Sequence, residues 1–338
     1  MEENKKYTAQ DYKSDQYVRW CPGCGDHAIV NALQKAMAEV GVPPHQTAVI
    51  SGIGCSSRLP YYMGTYGFHT IHGRGGAIAS GVKMANPELT VWQVSGDGDC
   101  LAIGGNHFIH EVRRNIDINI LLMNNKIYGL TKGQYSPTTD RGSVTKSSPY
   151  GTVEDPFIPA ELVFGARGTF FARSLDVEVA TTVEVLTAAA RHKGASVCEV
   201  LQNCVIFNNN IHSYVTDKEV RADRTIHLRH GEKMIFGKDM NRGIVLDGYM
   251  LKAVTIGEDG YTIDDVLVHD AKTPNNTLHQ MLAMMDGHEL PLAIGVIRDV
   301  EAPNYTDELT RQVEEVKGKK NFKSLREYIL SGDTWEVK

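Results

Sequence analysis

No apolar run in this 338-residue chain approaches the roughly 20 residues that a bilayer-spanning helix needs, so the sequence gives a membrane role no support. A basic tract is also missing. Lys and Arg total 35 against 41 Asp and Glu, a net charge of −6, and a nucleic-acid partner lacks its electrostatic footprint. The opening residues, M-E-E-N-K-K, are polar and contain no apolar export region. Cysteine is sparse, with six in the chain. Without an export signal these are expected to be reduced thiols rather than a disulfide framework, which makes the cytoplasm the expected location. Apolar residues make up 42% of the chain, enough for the sizeable core of a soluble globular protein.

Short apolar segments alternate with helical ones over the first 200 residues. Residues 26–41 place Ile29, Leu33, Ala36, Met37 and Val40 on one face of a helix opened by Asp26. Strands are expected at 48–53, 91–95, 118–123, 169–172 and 197–201, and further helices at 77–85, near 102–115 and at 177–193. Residues 131–160 are rich in Thr, Ser, Pro and Gly and are expected to form a long loop with a task such as a lid. The expected fold is α/β, a parallel sheet with helices on both faces. Residues 1–215 form the main domain and 216–338 an extension that packs on the core or on a partner. Residues 205–250 look polar and irregular. Beyond them lie one helical candidate at 278–286 and an apolar run at 290–297.

Four features follow strand ends. Gly54 and Cys55 follow the first strand, Gly96-Asp97-Gly98-Asp99 the second, and Asn124-Asn125 the third, 25 residues after Asp99; Cys204 lies just past the last. In an open parallel sheet ligands bind outside the carboxyl ends of the strands, so these features should meet on one edge. Glycines at 96 and 98 allow a phosphate close to the backbone. Magnesium prefers oxygen ligands and substrate phosphates, and Asp97, the side-chain oxygen of Asn125 and one backbone carbonyl offer half an octahedron. His72 precedes a glycine-rich turn and a helix start, a place suited to an anion, whereas His69 is expected to be structural. Cys21 and Cys24, in C-P-G-C-G, suit zinc as well as iron when taken alone. Cys100 and Cys198 are expected to be buried core thiols.

The G-D-G and N-N pair, residues 96–98 and 124–125, resembles the signature of thiamine diphosphate (ThDP) enzymes. Cys21-Pro22-Gly23-Cys24-Gly25, Ile53-Gly54-Cys55-Ser56-Ser57, His69-Thr70-Ile71-His72-Gly73-Arg74, the run N-N-K-I-Y-G-L-T-K-G at 124–133 and the late Cys204 together resemble the β subunit of 2-oxoacid:ferredoxin oxidoreductases over most of residues 17–215. The resemblance implies magnesium on Asp97, Asn125 and the carbonyl of Ile127. It also implies a 4Fe–4S cluster on Cys21, Cys24, Cys55 and Cys204, and the diphosphate on His72. Cys204 is preferred to Cys198 because it falls beyond a strand end. Ile53, Gly54, Cys55, Ser56, Gly96, Gly98, Asp99, Gly129 and Leu130 are expected to line the cofactor site. Leu130 is expected to limit the substrate's side chain, and Arg58 to hold a substrate carboxylate between cluster and thiazolium. The implied activity is oxidative decarboxylation of a 2-oxoacid to acyl-CoA and CO2, with electrons passed to ferredoxin. 2-Oxoglutarate is favoured over pyruvate or a branched acid, partly on Arg58. A non-catalytic iron–sulfur carrier is the rival from another class. The pyrimidine-binding half is not found in the chain, so an α subunit is expected to bring it, in an αβ or α2β2 assembly.

Overall fold

The computed structural model describes residues 6–319 and 322–337. Its centre is one eight-stranded sheet. In chain order its strands are β1 (Thr47–Ser51), β2 (Tyr66–His69), β3 (Thr90–Gly96), β4 (Asn119–Asn124), β5 (Phe170–Leu175), β6 (Ser196–Leu201), β7 (Thr225–Leu228) and, after three strands of a second sheet, β11 (Leu292–Asp299). The spatial order is β2-β1-β3-β4-β6-β5-β11-β7. The first six run parallel. β11 pairs antiparallel with β5, and β7 lies parallel to β11, so the two last strands of the layer run opposite to the rest. β8 (Ile235–Phe236), β9 (Arg242–Asp247) and β10 (Met250–Thr255) form a separate antiparallel sheet.

β1, β4, β5 and β6 are buried along their whole length, and alternate side chains enter different cores, as the two-residue period of a strand requires. Val49, Trp92, Leu121 and Phe170 enter one core with Ile29, Leu33, Val183 and Leu186. These last four come from α1 (Asp26–Val40) and α6 (Val179–Arg191), which pack against each other. Ile50, Val91, Ile120, Leu122 and Phe171 enter the other core with Ala79, Phe108, Val112 and Val163. That face is covered by α2 (Gly75–Ala85), α4 (Gly105–Arg114) and α5 (Pro159–Gly165), with the short α3 (Asp97–Leu101) at its edge. α1 stops at Gly41, whose φ of 80° is the left-handed cap that glycine supplies.

The later residues are more ordered than the sequence suggests. α7 (Ser213–Thr216), α8 (Lys218–Arg224), β7 and the three-stranded sheet occupy the stretch expected to be irregular, and α9 (Thr277–Ala283) leads into β11. The expected helix near 102–115 is α4, and a turn at 102–104 separates it from the short α3, which the sequence did not suggest. Gly104 packs there on the backbone of Asp99, Cys100 and Gly73, leaving no room for a side chain. β11 is tied down by buried polar contacts. Arg298 donates to the carbonyls of Gly168, Thr273 and Pro274, and His192 bridges Thr169 and Asp299 at 2.9 and 2.8 Å. α10 (Tyr305–Lys319) and α11 (Leu325–Ile329) close the chain with largely exposed side chains. No helix among the described residues is long and apolar enough to cross a membrane.

Candidate active site

Because β1, β3, β4 and β6 are parallel, the segments that leave their carboxyl ends meet. They enclose a cavity of about 500 Å³. Its walls include Ile53, Gly54, Cys55 and Ser56 after β1, His72 after β2, Gly96, Asp97, Gly98 and Asp99 after β3, and Asn125, Ile127, Gly129 and Leu130 after β4. All of these are residues that the sequence marks for the cofactors, Ile127 through its carbonyl.

Asp97 is 2% exposed at the first turn of α3. Its Oδ2 accepts from Ser136 Oγ at 2.5 Å and from Thr138 Oγ1 at 2.6 Å. Burial pushes its carboxyl upward, and those hydroxyls oppose the shift. Asn125 Oδ1 accepts from Ile127 N at 3.1 Å, which turns the amide oxygen over the following turn. Carboxylate, amide and carbonyl oxygens are the donor set a hard divalent cation takes. Gly98 lies against the Tyr128 ring, where a Cβ would overlap it, and Tyr128 Oη donates to the Gly98 carbonyl at 3.0 Å. The glycine therefore brings backbone to the cavity wall where any other residue would displace an aromatic ring. His72 sits two residues before Arg74, the N-cap of α2.

The four singled-out thiols collect beside the same cavity. A Cβ on Gly129 would stand 3.5 Å from Cys204 Sγ and 3.6 Å from Cys55 Sγ, so both thiols face the space that this glycine leaves. Cys24 N donates to the Cys21 carbonyl at 3.1 Å, closing the C-x-x-C turn, and Gln202 Nε2 approaches Cys24 Sγ at 3.3 Å. Burial pushes the Cys55 thiol up to about 12, with Asp26, Cys204 and Cys21 adding to the shift and the Arg58 charge opposing it. Burial and then the Asp26 charge push Cys24 upward as well. Among the described residues no three His, Cys, Asp or Glu side chains converge on a single ion, as a mononuclear zinc site requires. A four-iron cluster takes one thiolate per iron, so its ligands ring a volume instead. Cys198 lies inside β6, fully buried, its thiol near the Val185 carbonyl. Cys100 is buried too.

Two of the expected site residues make contacts within the protein. Arg58 does not line the cavity. It lies on the 3-10 helix Ser56–Tyr62, whose pitch carries its Nε to Tyr62 Oη at 3.0 Å and its guanidinium 5.7 Å over the Tyr61 ring. Its charge nonetheless acts on the Cys55 thiol, so the side chain lies beside that cysteine without forming part of the cavity wall. Asp99 does line the wall, but its carboxylate already accepts from Ile53 N, Gly73 N and Ser95 Oγ, so it braces protein rather than facing a ligand.

A sequence profile described as "Thiamine pyrophosphate enzyme, C-terminal TPP binding domain" matches residues 52–200. The chain is 44% identical over 331 residues to the 2-oxoglutarate oxidoreductase subunit KorB of Mycobacterium tuberculosis, covering 97% of this chain and 88% of that one. It is 50% identical over 198 residues to the 2-oxoacid:ferredoxin oxidoreductase 1, subunit beta, of Aeropyrum pernix, covering 59% of this chain and 62% of that one. The chain belongs to the 2-oxoacid:ferredoxin oxidoreductase β subunits. In three dimensions it is similar to a 2-oxoglutarate:ferredoxin oxidoreductase from Magnetococcus marinus with 2-oxoglutarate, coenzyme A and succinyl-CoA bound. That match has a TM-score of 0.77 and 30% identity, and covers 97% of this chain and 96% of the other.

The sequence of this β subunit did not disclose several residues around the site. Ser136 and Thr138, on the long loop, hold Asp97. Trp20 Nε1 donates to the Cys55 carbonyl at 2.7 Å. Ile103, Met123, Tyr128, Thr131, Gln134 and Gln202 complete the cavity wall. The S-P-T-T run at 136–139 was the one available signal, since hydroxyl residues clustered in a long loop suit the binding of a buried carboxylate.

Proposed function

We propose that the chain is the cofactor-carrying β subunit of a 2-oxoglutarate:ferredoxin oxidoreductase. With an α subunit it converts 2-oxoglutarate and coenzyme A into the acyl-CoA and CO2, releasing one proton and two electrons that leave through a 4Fe–4S cluster to ferredoxin. One observation carries this reading: a single cavity has oxygen donors on one wall and the Cys55 thiol on another, with Cys204 behind it. The 44% identity over nearly the full chain to a 2-oxoglutarate oxidoreductase subunit supports the choice of acid.

Bound here, thiamine diphosphate supplies the electron sink for decarboxylation and the cluster accepts electrons singly. Asp97, Asn125 and the Ile127 carbonyl hold magnesium. Gly96 and Gly98 let the diphosphate reach the backbone, and His72, before the 11-residue helix α2, binds it. Ser136 and Thr138 keep Asp97 turned toward the cation. Ile53, Gly54, Ser56, Gly129 and Leu130 shape the wall around the thiazolium, and Leu130 limits the substrate's side chain. Cys21, Cys24, Cys55 and Cys204 hold the cluster. Residues 1–215 form the cofactor domain and 216–338 the extension. Exposed Ile103 and Leu130 rim the cavity, and Tyr66, Phe68 and Ile71 are exposed on and after the adjoining edge strand. Exposed apolar side chains of this kind suit a partner's contact. A cytoplasmic location belongs to the same reading.

The test is 2-oxoacid-dependent reduction of ferredoxin or viologen by the chain with its partner, comparing 2-oxoglutarate, pyruvate and a branched acid. Coenzyme A-dependent reduction strongest with 2-oxoglutarate is expected. Preference for pyruvate would overturn the choice of acid. Reduction with none of the acids, in protein that retains ThDP and iron, would leave an electron carrier.

A further inference from the structure

We propose that Asp99 is a positioning residue that sets the spacing between the two cofactor sites, an inference that rests on the assignment of ThDP and the cluster to this cavity. Asp99 is 7% exposed, and its carboxylate joins three separate segments. Oδ1 accepts from Ile53 N at 3.1 Å, 46 residues away, and from Gly73 N at 2.7 Å, 26 residues away. Oδ2 accepts from Ser95 Oγ at 2.7 Å. Ile53 lies two residues before Cys55, Gly73 directly follows His72, and Asp99 shares one turn of α3 with Asp97. One carboxylate thus fastens the thiol-bearing loop, the histidine-bearing loop and the metal-binding turn to the end of β3.

The surroundings are shaped for this contact. Gly52 lies against the carboxylate where any side chain would overlap it. Gly73 has φ of 63° and packs on Gly104, a conformation and a clearance that favour glycine. Two backbone N–H groups from different loops therefore converge on one oxygen. Without that acceptor both lose their partner, the Gly73 N–H buried and the Ile53 N–H half-buried, and the loops lose the link that holds Cys55 relative to His72 and Asp97. Displacements of about 1 Å at a reacting centre can cost on the order of 100-fold in rate, so the brace acts on the geometry of both sites and on their placement relative to each other.

The chemistry separates a brace from a ligand. In Asp99→Asn the amide oxygen can keep both backbone N–H groups while the NH2 donates to Ser95 Oγ, since a hydroxyl accepts as well as donates. Asp99→Ala keeps none of these bonds. Both variants are prepared as the complex with the partner subunit and examined by iron analysis, ThDP titration calorimetry, and the EPR spectrum and potential of the reduced cluster. Asp99→Asn should stay within about threefold of wild type in ThDP affinity, with an unchanged spectrum. Asp99→Ala should keep its iron, bind ThDP at least about tenfold more weakly, show an altered spectrum and lose more in kcat than in KM. Loss of ThDP by Asp99→Asn would overturn the proposal and make the carboxylate a cofactor ligand, whether or not Asp99→Ala folds. Wild-type affinity and spectrum in a folded Asp99→Ala would overturn it as well. Failure of the wild-type complex to bind ThDP or iron would instead sink the functional reading beneath it.

Discussion

Cys198 and Cys204 stand six residues apart and occupy different environments. Cys198 points from the middle of β6 into the core, whereas Cys204 lies beyond the strand end with its Sγ near that of Cys55. Replacing Cys204 by Ser should therefore lose or cripple the cluster. Cys198→Ser should leave the anaerobic iron content near the four irons that a 4Fe–4S cluster holds; iron lost from the second variant and kept in the first would reverse the assignment. Arg58 leads to a second expectation at this scale. Its contacts are Tyr61 and Tyr62, so Arg58→Ala should remove one hydrogen bond, roughly 0.5–1.5 kcal/mol of stability. It should leave the ratio of kcat/KM for 2-oxoglutarate and pyruvate unchanged. A loss confined to 2-oxoglutarate would show that the guanidinium reads the distal carboxylate after all. The placement of Cys204 was legible because strand ends can be counted from the sequence. The contacts of Arg58 were not, because the 3-10 helix after Cys55 sets it against Tyr61 and Tyr62.

Strands buried on both faces were the easiest elements to read. β1, β3, β4 and β6 are short and mostly apolar, and their ends fall within two residues of the expected ones. β2, sequence Y-G-F-H, is exposed throughout and carries no such signal. β7, β8 and β10 were missed because they are short or alternate in burial, and β9 because its apolar stretch is only three residues, Ile244–Leu246. The loop at 131–160 was legible as a loop. Its link to Asp97 was not, since the hydroxyls that reach the carboxylate come from 39 and 41 residues away. Helix α4 carries one more hidden feature. Glu111 is buried against Gly76, with the Gln93 amide at 3.0 and 3.1 Å, and burial pushes its carboxyl from the ordinary 4.5 up to about 8. Between those values the folded chain holds a proton that the unfolded chain has released, so this group makes stability fall as pH rises from about 4.5 to about 8. Denaturation midpoints measured across that window should decline less steeply in Glu111→Gln than in wild type. Parallel declines would mean that Glu111 ionises normally in the fold.

At the scale of the whole molecule, the two borders of the main sheet differ. One ends in β7, which lies beside β11 and is supplied by the later residues; the other ends in β2, next to the cavity. The C-terminal residues therefore extend the layer away from the site and leave its mouth, with Ile103 and Leu130 exposed, on the opposite side. Among the described residues, the carboxylates lining the cavity are Asp97 and Asp99. The first is held by Ser136 and Thr138, and the second by Ile53, Gly73 and Ser95. Neither is placed to exchange a proton with an aminopyrimidine ring, a task that in ThDP enzymes falls to a glutamate on a separate pyrimidine-binding domain. On the proposed reading that carboxylate arrives with the partner subunit, across the rim where Ile103 and Leu130 are exposed. The chain purified alone, with ThDP, magnesium and an intact cluster, should thus decarboxylate no 2-oxoacid at a useful rate. Co-expression with the partner should restore CO2 release and acceptor reduction together. Recovery of CO2 release without acceptor reduction would place the fault in the cluster rather than the interface. Full turnover by the isolated chain would show that one of its own carboxylates performs the proton transfer and that the rim has another use.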